Sequence, residues 1–150
     1  MDDTPKFQDE SIAPMHTAEH MLNGTMVKLH GCKRSRHSHI ERRKSKCDYP
    51  MPSPLTEEQI RNIERIINDT IDRDLPITFQ YINIQEAASS YDLDRLPDDA
   101  ASTIRIVHVG DFDSCPCVGA HVRTTREIGH FRISSYRYAD GVQRIVFRLD

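Results

Sequence analysis

The sequence contains no tryptophan, and its 37% of hydrophobic residues predicts a modest core of aliphatic side chains. Four cysteines in 150 residues are too few for a disulfide scaffold. Two of them lie in Cys115-Pro116-Cys117, too close for an ordinary bridge, so we expect reduced thiols and a cytoplasmic protein. No apolar run is long enough to cross a bilayer, and the acidic start MDDTPKFQDE is unlike a secretory signal. We therefore expect no membrane partner.

Charge is unevenly distributed along a chain whose length fits one domain. The net charge is only −3, yet residues 33–46 concentrate positive charge around a single acid, Glu41. The basic residues of this stretch are Lys33, Arg34, Arg36, Arg42, Arg43, Lys44 and Lys46. Such a stretch can neutralise phosphates, so we predict that it contacts RNA. A solvated hairpin without a partner is the alternative interpretation.

The first predicted helix begins near Pro14, a residue suited to a first helical turn, and ends at Gly31. Its apolar residues recur at helical spacing on one face: Met15, Ala18, Leu22 and Leu29. We expect residues 1–13 to form a flexible N-terminal segment and residues 14–150 to form a single domain. Residues 33–49 are predicted to form a loosely patterned hairpin.

A capping-box pattern, Thr56 with Gln59, opens the second predicted helix. Isoleucines follow on one face of it, at positions 60, 63, 67 and 71. Predicted strands cover residues 77–84, 104–109, 131–138 and 142–149, with a short helix at 85–91 and an acidic loop at 92–102. Asp140-Gly141 indicates a hairpin turn between the last two strands. This order predicts an α+β fold in which an antiparallel sheet packs with two main helices.

Two residue pairs have the spacing of metal ligands. His16 and His20 lie four residues apart on the first predicted helix, so their imidazoles share one face. Cys117 and His121 repeat that spacing in a loop after the strand at 104–109. One thiolate with three imidazoles favours tetrahedral Zn²⁺ over Mg²⁺ or Ca²⁺. Each pair alone also fits a plainer interpretation, a solvated helix face for the histidines and a small buried hydrophobe for Cys117.

These motifs resemble the second additional domain shared by threonyl- and alanyl-tRNA synthetases, and in particular the free-standing alanyl-tRNA editing proteins of the AlaX type. Residues 16–20 (HTAEH) resemble the HxxxH motif of that family, and residues 117–122 (CVGAHV) resemble its CxxxH motif. The surrounding segments 105–112 (RIVHVGDF) and 125–133 (TREIGHFRI) are also similar. The resemblance runs from about residue 14 to residue 149. Ala120 and Arg126 depart from the family pattern, which usually has Thr and Gly there.

The resemblance implies a zinc-dependent deacylase that hydrolyses mischarged alanine tRNA in trans, the amino acid being serine or glycine. It places Zn²⁺ between the first helix and the late loop, with His16, His20, Cys117 and His121 as ligands. The expected partner is aminoacylated alanine tRNA. We expect no use of ATP, because the chain has no room for an aminoacylation domain.

Glu19 is the candidate catalytic residue, because it lies beside His20 and one turn after His16. It is interpreted as a general base for the attacking water or as a ligand of the substrate's α-amino group. The alternative is a solvated helix carboxylate. Cys115 could compete with Cys117 for the metal. Two other functions remain open: a non-catalytic, zinc-stabilised RNA-binding module, and a metallopeptidase of the H-x-x-E-H type.

Overall fold

The structure, a computed structural model, describes residues 9–91 and 103–150 as an α+β fold. The helices in these residues are α1 (Ala13–His30), α2 (Glu57–Asp72) and α3 (Ile84–Ser90), with 3-10 turns at Glu10–Ile12 and Thr125–Ile128. The strands are β1 (His37–His39), β2 (Lys44–Pro50), β3 (Ile77–Asn83), β4 (Thr103–Val109), β5 (Asp113–Pro116), β6 (Phe131–Ala139) and β7 (Val142–Leu149). The predicted acidic loop at 92–102 lies outside the described residues.

The strands form two antiparallel sheets where the sequence predicted one. The larger sheet has the order β1-β2-β7-β6, and the smaller has the order β3-β4-β5. β5 was not predicted, since four residues including Pro116 give little strand signal. It pairs with β4 from Ile106↔Pro116 to Val109↔Asp113. The single-sheet prediction is wrong because the alternation of side chains identifies strands without identifying their partners.

Helix α1 is buried over most of its circumference, so its core contacts extend beyond one stripe. All residues from Met15 to Met26 are buried, and several of them are polar. Leu29, predicted on the apolar stripe, is 45% exposed. The helix ends at Gly31, whose φ of 64° is the left-handed conformation that glycine adopts without strain.

The chain is helical before the predicted domain start. Glu10–Ile12 is a 3-10 turn capped by Asp9, and Ile12 and Ala13 are buried. The structure therefore extends the helical turns back from the predicted domain start at residue 14 to Glu10. Residues 1–8 lie outside the described part of the chain.

Helix α2 forms as the capping box predicts, and its isoleucines enter the main core. The Thr56 hydroxyl accepts from the Gln59 N–H, and the Gln59 side chain accepts from the Thr56 N–H. Asn68 then binds both backbone groups of Phe131 at 2.8 Å, which fixes α2 against β6. The core thus lies between the helices and the inner face of the larger sheet.

Both predicted hairpins are present. β1 and β2 pair antiparallel, and β6 joins β7 through Asp140 and Gly141, with φ values of 52° and 76°. Two successive positive φ values are characteristic of the type I′ turn that this dipeptide predicts. Among the described residues, no helix combines the length and the apolar character needed to cross a membrane.

Candidate metal centre

The two predicted ligand pairs come together in the folded chain. His16 and His20 project from one face of α1, Cys117 directly follows β5, and His121 lies four residues later. One potential ligand atom from each of these four residues lies within 4.8 Å of the others. The cluster therefore lies between the first helix and a late loop that follows a strand, and it could hold a metal ion.

The His16 ring is oriented by the backbone of the late loop. Its Nδ1 lies 3.1 Å from the Ala120 carbonyl oxygen. A carbonyl can only accept, so Nδ1 donates and Nε2 keeps its lone pair. That Nε2 lies 3.4 Å from the Cys117 Sγ.

The His121 ring is oriented by the hydroxyl of Thr17. Its Nδ1 lies 3.0 Å from the Thr17 Oγ1, which also lies 3.1 Å from the Ala13 carbonyl and 3.2 Å from the Val122 N–H. The hydroxyl donates its single proton to the carbonyl and accepts from Val122, so Nδ1 of His121 must donate to it. The His121 Nε2 is buried and has no hydrogen-bond partner among the described residues. An orphaned acceptor at this point indicates that something else binds there.

The His20 ring is oriented by residues of β5. Its Nδ1 lies 3.2 Å from the Cys115 Sγ and 3.9 Å from a carboxylate oxygen of Asp113. Cys115 therefore lies on the Nδ1 side of His20, in a second group with Asp113, whereas Cys117 belongs to the first group. Arg34 binds both Asp113 oxygens, at 2.8 and 3.0 Å, and its positive charge balances that carboxylate. We interpret the second group as an outer layer that orients His20.

Charge and burial act in opposite directions on His16 and Cys117. Burial lowers the pKa of His16, but the hydrogen bond and charge of Cys117, with Glu19 and the Ala120 carbonyl, raise it above its ordinary value. Burial raises the pKa of the Cys117 thiol, yet the hydrogen bond and charge of His16, with the Gly119 N–H, lower it below its ordinary value. The site therefore favours a thiolate at Cys117, the form that binds metals.

The donor set fits a metal ion of borderline softness, such as zinc. Burial, followed by the charges of His16 and Arg105, lowers the pKa of His121 to about 2, so this ligand is neutral at physiological pH. The Nδ1 atoms of His16 and His121 are hydrogen-bonded to oxygen, which leaves their two Nε2 atoms, together with His20 and the Cys117 sulfur, as the remaining donors. Three nitrogens with one thiolate is a ligand set typical of zinc.

Glu19 is buried beside the cluster, at 1% exposure. Its negative charge contributes to the electrostatic environment of both His16 and Cys117. The interpretation of Glu19 as a solvated helix carboxylate is therefore wrong.

Arg105 was not among the predicted site residues, although an arginine between two isoleucines of a predicted strand was a usable signal. Its Nε donates to the Cys117 carbonyl at 2.7 Å, and one terminal nitrogen donates to the Gly119 carbonyl at 2.6 Å. The side chain thus fixes the backbone of the ligand loop from β4.

The predicted RNA-contacting residues divide into two groups. Arg34 faces inward to Asp113, with a side-chain exposure of 15%, so it is occupied elsewhere. The other members are exposed or half-buried at the surface: Lys33, Arg36, Arg42, Arg43, Lys44 and Lys46. Three of these line a groove of about 710 Å³ on the outer face of the larger sheet, together with two arginines of β7: Arg43, Lys44, Lys46, Arg144 and Arg148.

Comparison with known proteins shows what the chain is similar to. Residues 104–146 match the family model of the threonyl and alanyl tRNA synthetase second additional domain. The chain resembles this domain along that segment. The alanine–tRNA ligase of Methylacidiphilum infernorum is 32% identical over 137 residues, which is 89% of this chain and 15% of the ligase. The ligases of Petrotoga mobilis and Treponema denticola are 33% and 28% identical, over 87% and 91% of this chain and 15% and 23% of their own lengths.

The chain therefore spans only about 15 to 23% of the length of the ligases it resembles. The predicted resemblance is confirmed.

Proposed function

We propose that this protein is a zinc-dependent aminoacyl-tRNA deacylase that hydrolyses mischarged alanine tRNA in trans. The observation that carries the proposal is the convergence of His16, His20, Cys117 and His121 in a domain related to alanine–tRNA ligases. The proposed substrates are seryl- and glycyl-tRNA of the alanine acceptor. Hydrolysis of the ester consumes only water, so the proposed reaction uses no ATP. The reduced thiol of Cys117 suits a protein of the cytoplasm.

The cluster supplies the proposed zinc ligands. When bound by all four residues, zinc would have no open position for the ester and would position the substrate or a water; it would act as a Lewis acid toward the ester only where one ligand gives way. The residues of this chain do the positioning: the Ala120 carbonyl and the Thr17 hydroxyl fix the rings of His16 and His121. Rings held in this way lose little freedom on binding, which favours one coordination geometry.

Glu19 is proposed as the group that takes a proton from the attacking water or holds the substrate's α-amino group. Its support is a buried negative charge next to His16 and Cys117. Glu19→Gln keeps the shape and removes the charge. We expect deacylation to fall by at least about 100-fold while zinc content, measured by atomic absorption, stays normal. Unchanged turnover would eliminate Glu19 as a catalytic residue.

We propose that the tRNA phosphates contact the groove on the outer face of the larger sheet, which we call the basic groove. Its cations are Arg43, Lys44, Lys46, Arg144 and Arg148. Lys44, Lys46 and Arg148 lie on adjacent strands, with Lys44 directly opposite Arg148. Arg43 precedes β2, Arg144 is paired with Asp48, and the one acid among the described residues of the lining is Glu41. A row of cations at strand spacing matches a phosphate backbone in charge and favours binding that weakens with salt.

The test is a deacylation panel with the zinc-loaded protein on alanine tRNA charged with serine, glycine or alanine. We expect turnover of the seryl or glycyl ester and little of the alanyl ester. Cys117→Ser should lose zinc and turnover together. Binding without turnover would select the non-catalytic RNA-binding module, and peptide cleavage without deacylation would select the metallopeptidase.

A further inference from the structure

Two large aromatic side chains are exposed on β3. Phe79 is 47% and Tyr81 68% exposed, whereas most large apolar side chains of the described residues are buried. β3 is the edge strand of the smaller sheet, with β4 on one side. Exposed apolar rings grouped in this way indicate a binding surface.

These rings lie on the face of the sheet that leads to the metal centre. Residues directly opposite each other in an antiparallel pair share a face. Phe79 opposes Val107, which in turn opposes Cys115, and Tyr81 opposes Arg105. Cys115 is the residue that contacts His20. The aromatic surface therefore continues from the metal ligands outward along β3.

Phe79 lies at the inner end of this surface, next to a proposed ligand. Its ring centroid is 6.5 Å from that of His121, with an interplanar angle of 49°. A molecule stacked on Phe79 would thus lie beside the metal centre.

Arg105 adds a cation to the two rings. Its guanidinium lies 4.6 Å from the Phe79 ring centroid, and it donates hydrogen bonds to the carbonyls of Cys117 and Gly119. The two carbonyl oxygens accept hydrogen bonds from the guanidinium but carry no net charge, so they do not neutralise the positive charge of Arg105. The surface therefore offers flat rings and a positive charge within one short stretch of sheet.

We propose that Phe79, Tyr81 and Arg105 bind the single-stranded 3′ end of the tRNA, the bases stacking on the two rings and a phosphate approaching the guanidinium. This inference rests on the proposed function, because it places the nucleotide that carries the ester beside the metal ligands. Flat aromatic rings with an arginine are the combination that binds single-stranded nucleic acid. A protein partner with aliphatic side chains would bind to the rings without requiring the positive charge of Arg105.

Stacking predicts a defined loss of affinity. Each base–aromatic stack contributes roughly 5- to 150-fold in affinity, with little dependence on base identity. Phe79→Leu and Tyr81→Leu keep apolar bulk at exposed positions and remove the flat ring, so each should weaken binding within this range. Phe79→Tyr should retain binding, because it keeps the ring.

The test uses an alanine-tRNA minihelix whose 3′-terminal adenosine is replaced by fluorescent 2-aminopurine. With the zinc-loaded protein we expect quenching on binding, since stacking quenches 2-aminopurine. Quenching should be reduced in Phe79→Leu and Tyr81→Leu and unchanged in Tyr136→Leu, a matched control whose ring is 36% exposed on the other sheet. Zinc content of each variant verifies that the metal centre remains intact.

A second measurement separates this inference from the proposed function. For deacylation, the leucine variants should raise KM for charged tRNA by a larger factor than they lower kcat, whereas Tyr136→Leu should raise KM little. Normal quenching and KM in both variants would overturn the stacking surface while leaving the deacylase intact. Quenching by the wild type without any deacylation would overturn the deacylase while supporting the surface.

Discussion

Thr17 connects the helix backbone, the ligand loop and one imidazole through a single hydroxyl group. It donates to the Ala13 carbonyl and accepts from both the Val122 N–H and the His121 Nδ1. The hydroxyl is fully buried, so water cannot replace it. Thr17 therefore determines which nitrogen of His121 is available to a metal.

Thr17→Val should lower zinc affinity by about 10-fold or more, because it keeps the volume and removes the partner of His121. Competition with a chromophoric chelator measures this affinity. Thr25→Val is the matched control: Thr25 is also buried in α1 and donates to the carbonyl four residues earlier, so its hydroxyl binds the helix backbone rather than a ligand. Equal zinc affinities in Thr17→Val and Thr25→Val would contradict the role assigned to Thr17.

The departure from the family pattern at position 120 has a local explanation. Ala120 contacts His16 through its carbonyl oxygen, which any residue supplies. Replacing the usual threonine side chain therefore leaves this hydrogen bond in place.

Strands β2 and β7 each divide their side chains between the core and the basic groove. On β2, Ser45, Cys47 and Tyr49 are buried, whereas Lys44 and Lys46 face the groove. On β7, Gln143, Ile145 and Phe147 are buried. Because successive side chains alternate across a strand, the same elements that form the core also present the cations.

Lys44→Ser/Arg148→Ser should weaken tRNA binding mainly at low salt. Each phosphate contact removed lowers the slope of log affinity against log salt concentration by about 0.7 to 0.9, so this double variant should lower it by about 1.4 to 1.8. Filter binding across a salt series measures the slope. Arg61→Ser/Arg65→Ser, two exposed arginines of α2, is the control and should leave it unchanged. Equal slopes for wild type and the groove variant would exclude this face from tRNA binding.

At the scale of the whole molecule, the metal centre joins parts of the chain that are about a hundred residues apart. The contact from His16 to Cys117 spans 101 positions, and that from Thr17 to His121 spans 104. A ligand that binds the folded state alone stabilises it by mass action. The bound metal should therefore stabilise the packing of α1 against the late loop.

Removing the metal should lower the melting temperature. At free zinc about 100-fold above its dissociation constant, binding contributes about 2.7 kcal/mol, or about 5 to 10 °C for a domain of this size. Differential scanning fluorimetry with and without a chelator measures the shift. Cys117→Ser/His121→Ala should melt at the same temperature in both conditions. A wild-type protein that does not respond to the chelator would argue against a bound metal.

The sequence by itself determined the local features of this protein. The Thr56 and Gln59 capping box, the Asp140-Gly141 turn and the ligand pairs of α1 and the late loop each depend on residues within a few positions of one another. Spacing decides which side chains share a face of one helix or one loop, so these features could be predicted without knowing the fold.

Only the tertiary structure decided which local features meet. The division into two sheets, the inward turn of Arg34 toward Asp113 and the position of Phe79 beside His121 all join distant parts of the chain. No local pattern specifies such partners, because they depend on how complete elements pack and which charges that packing buries. The four residues of the candidate cluster could therefore be named from the sequence, whereas the side chains that orient them required the structure.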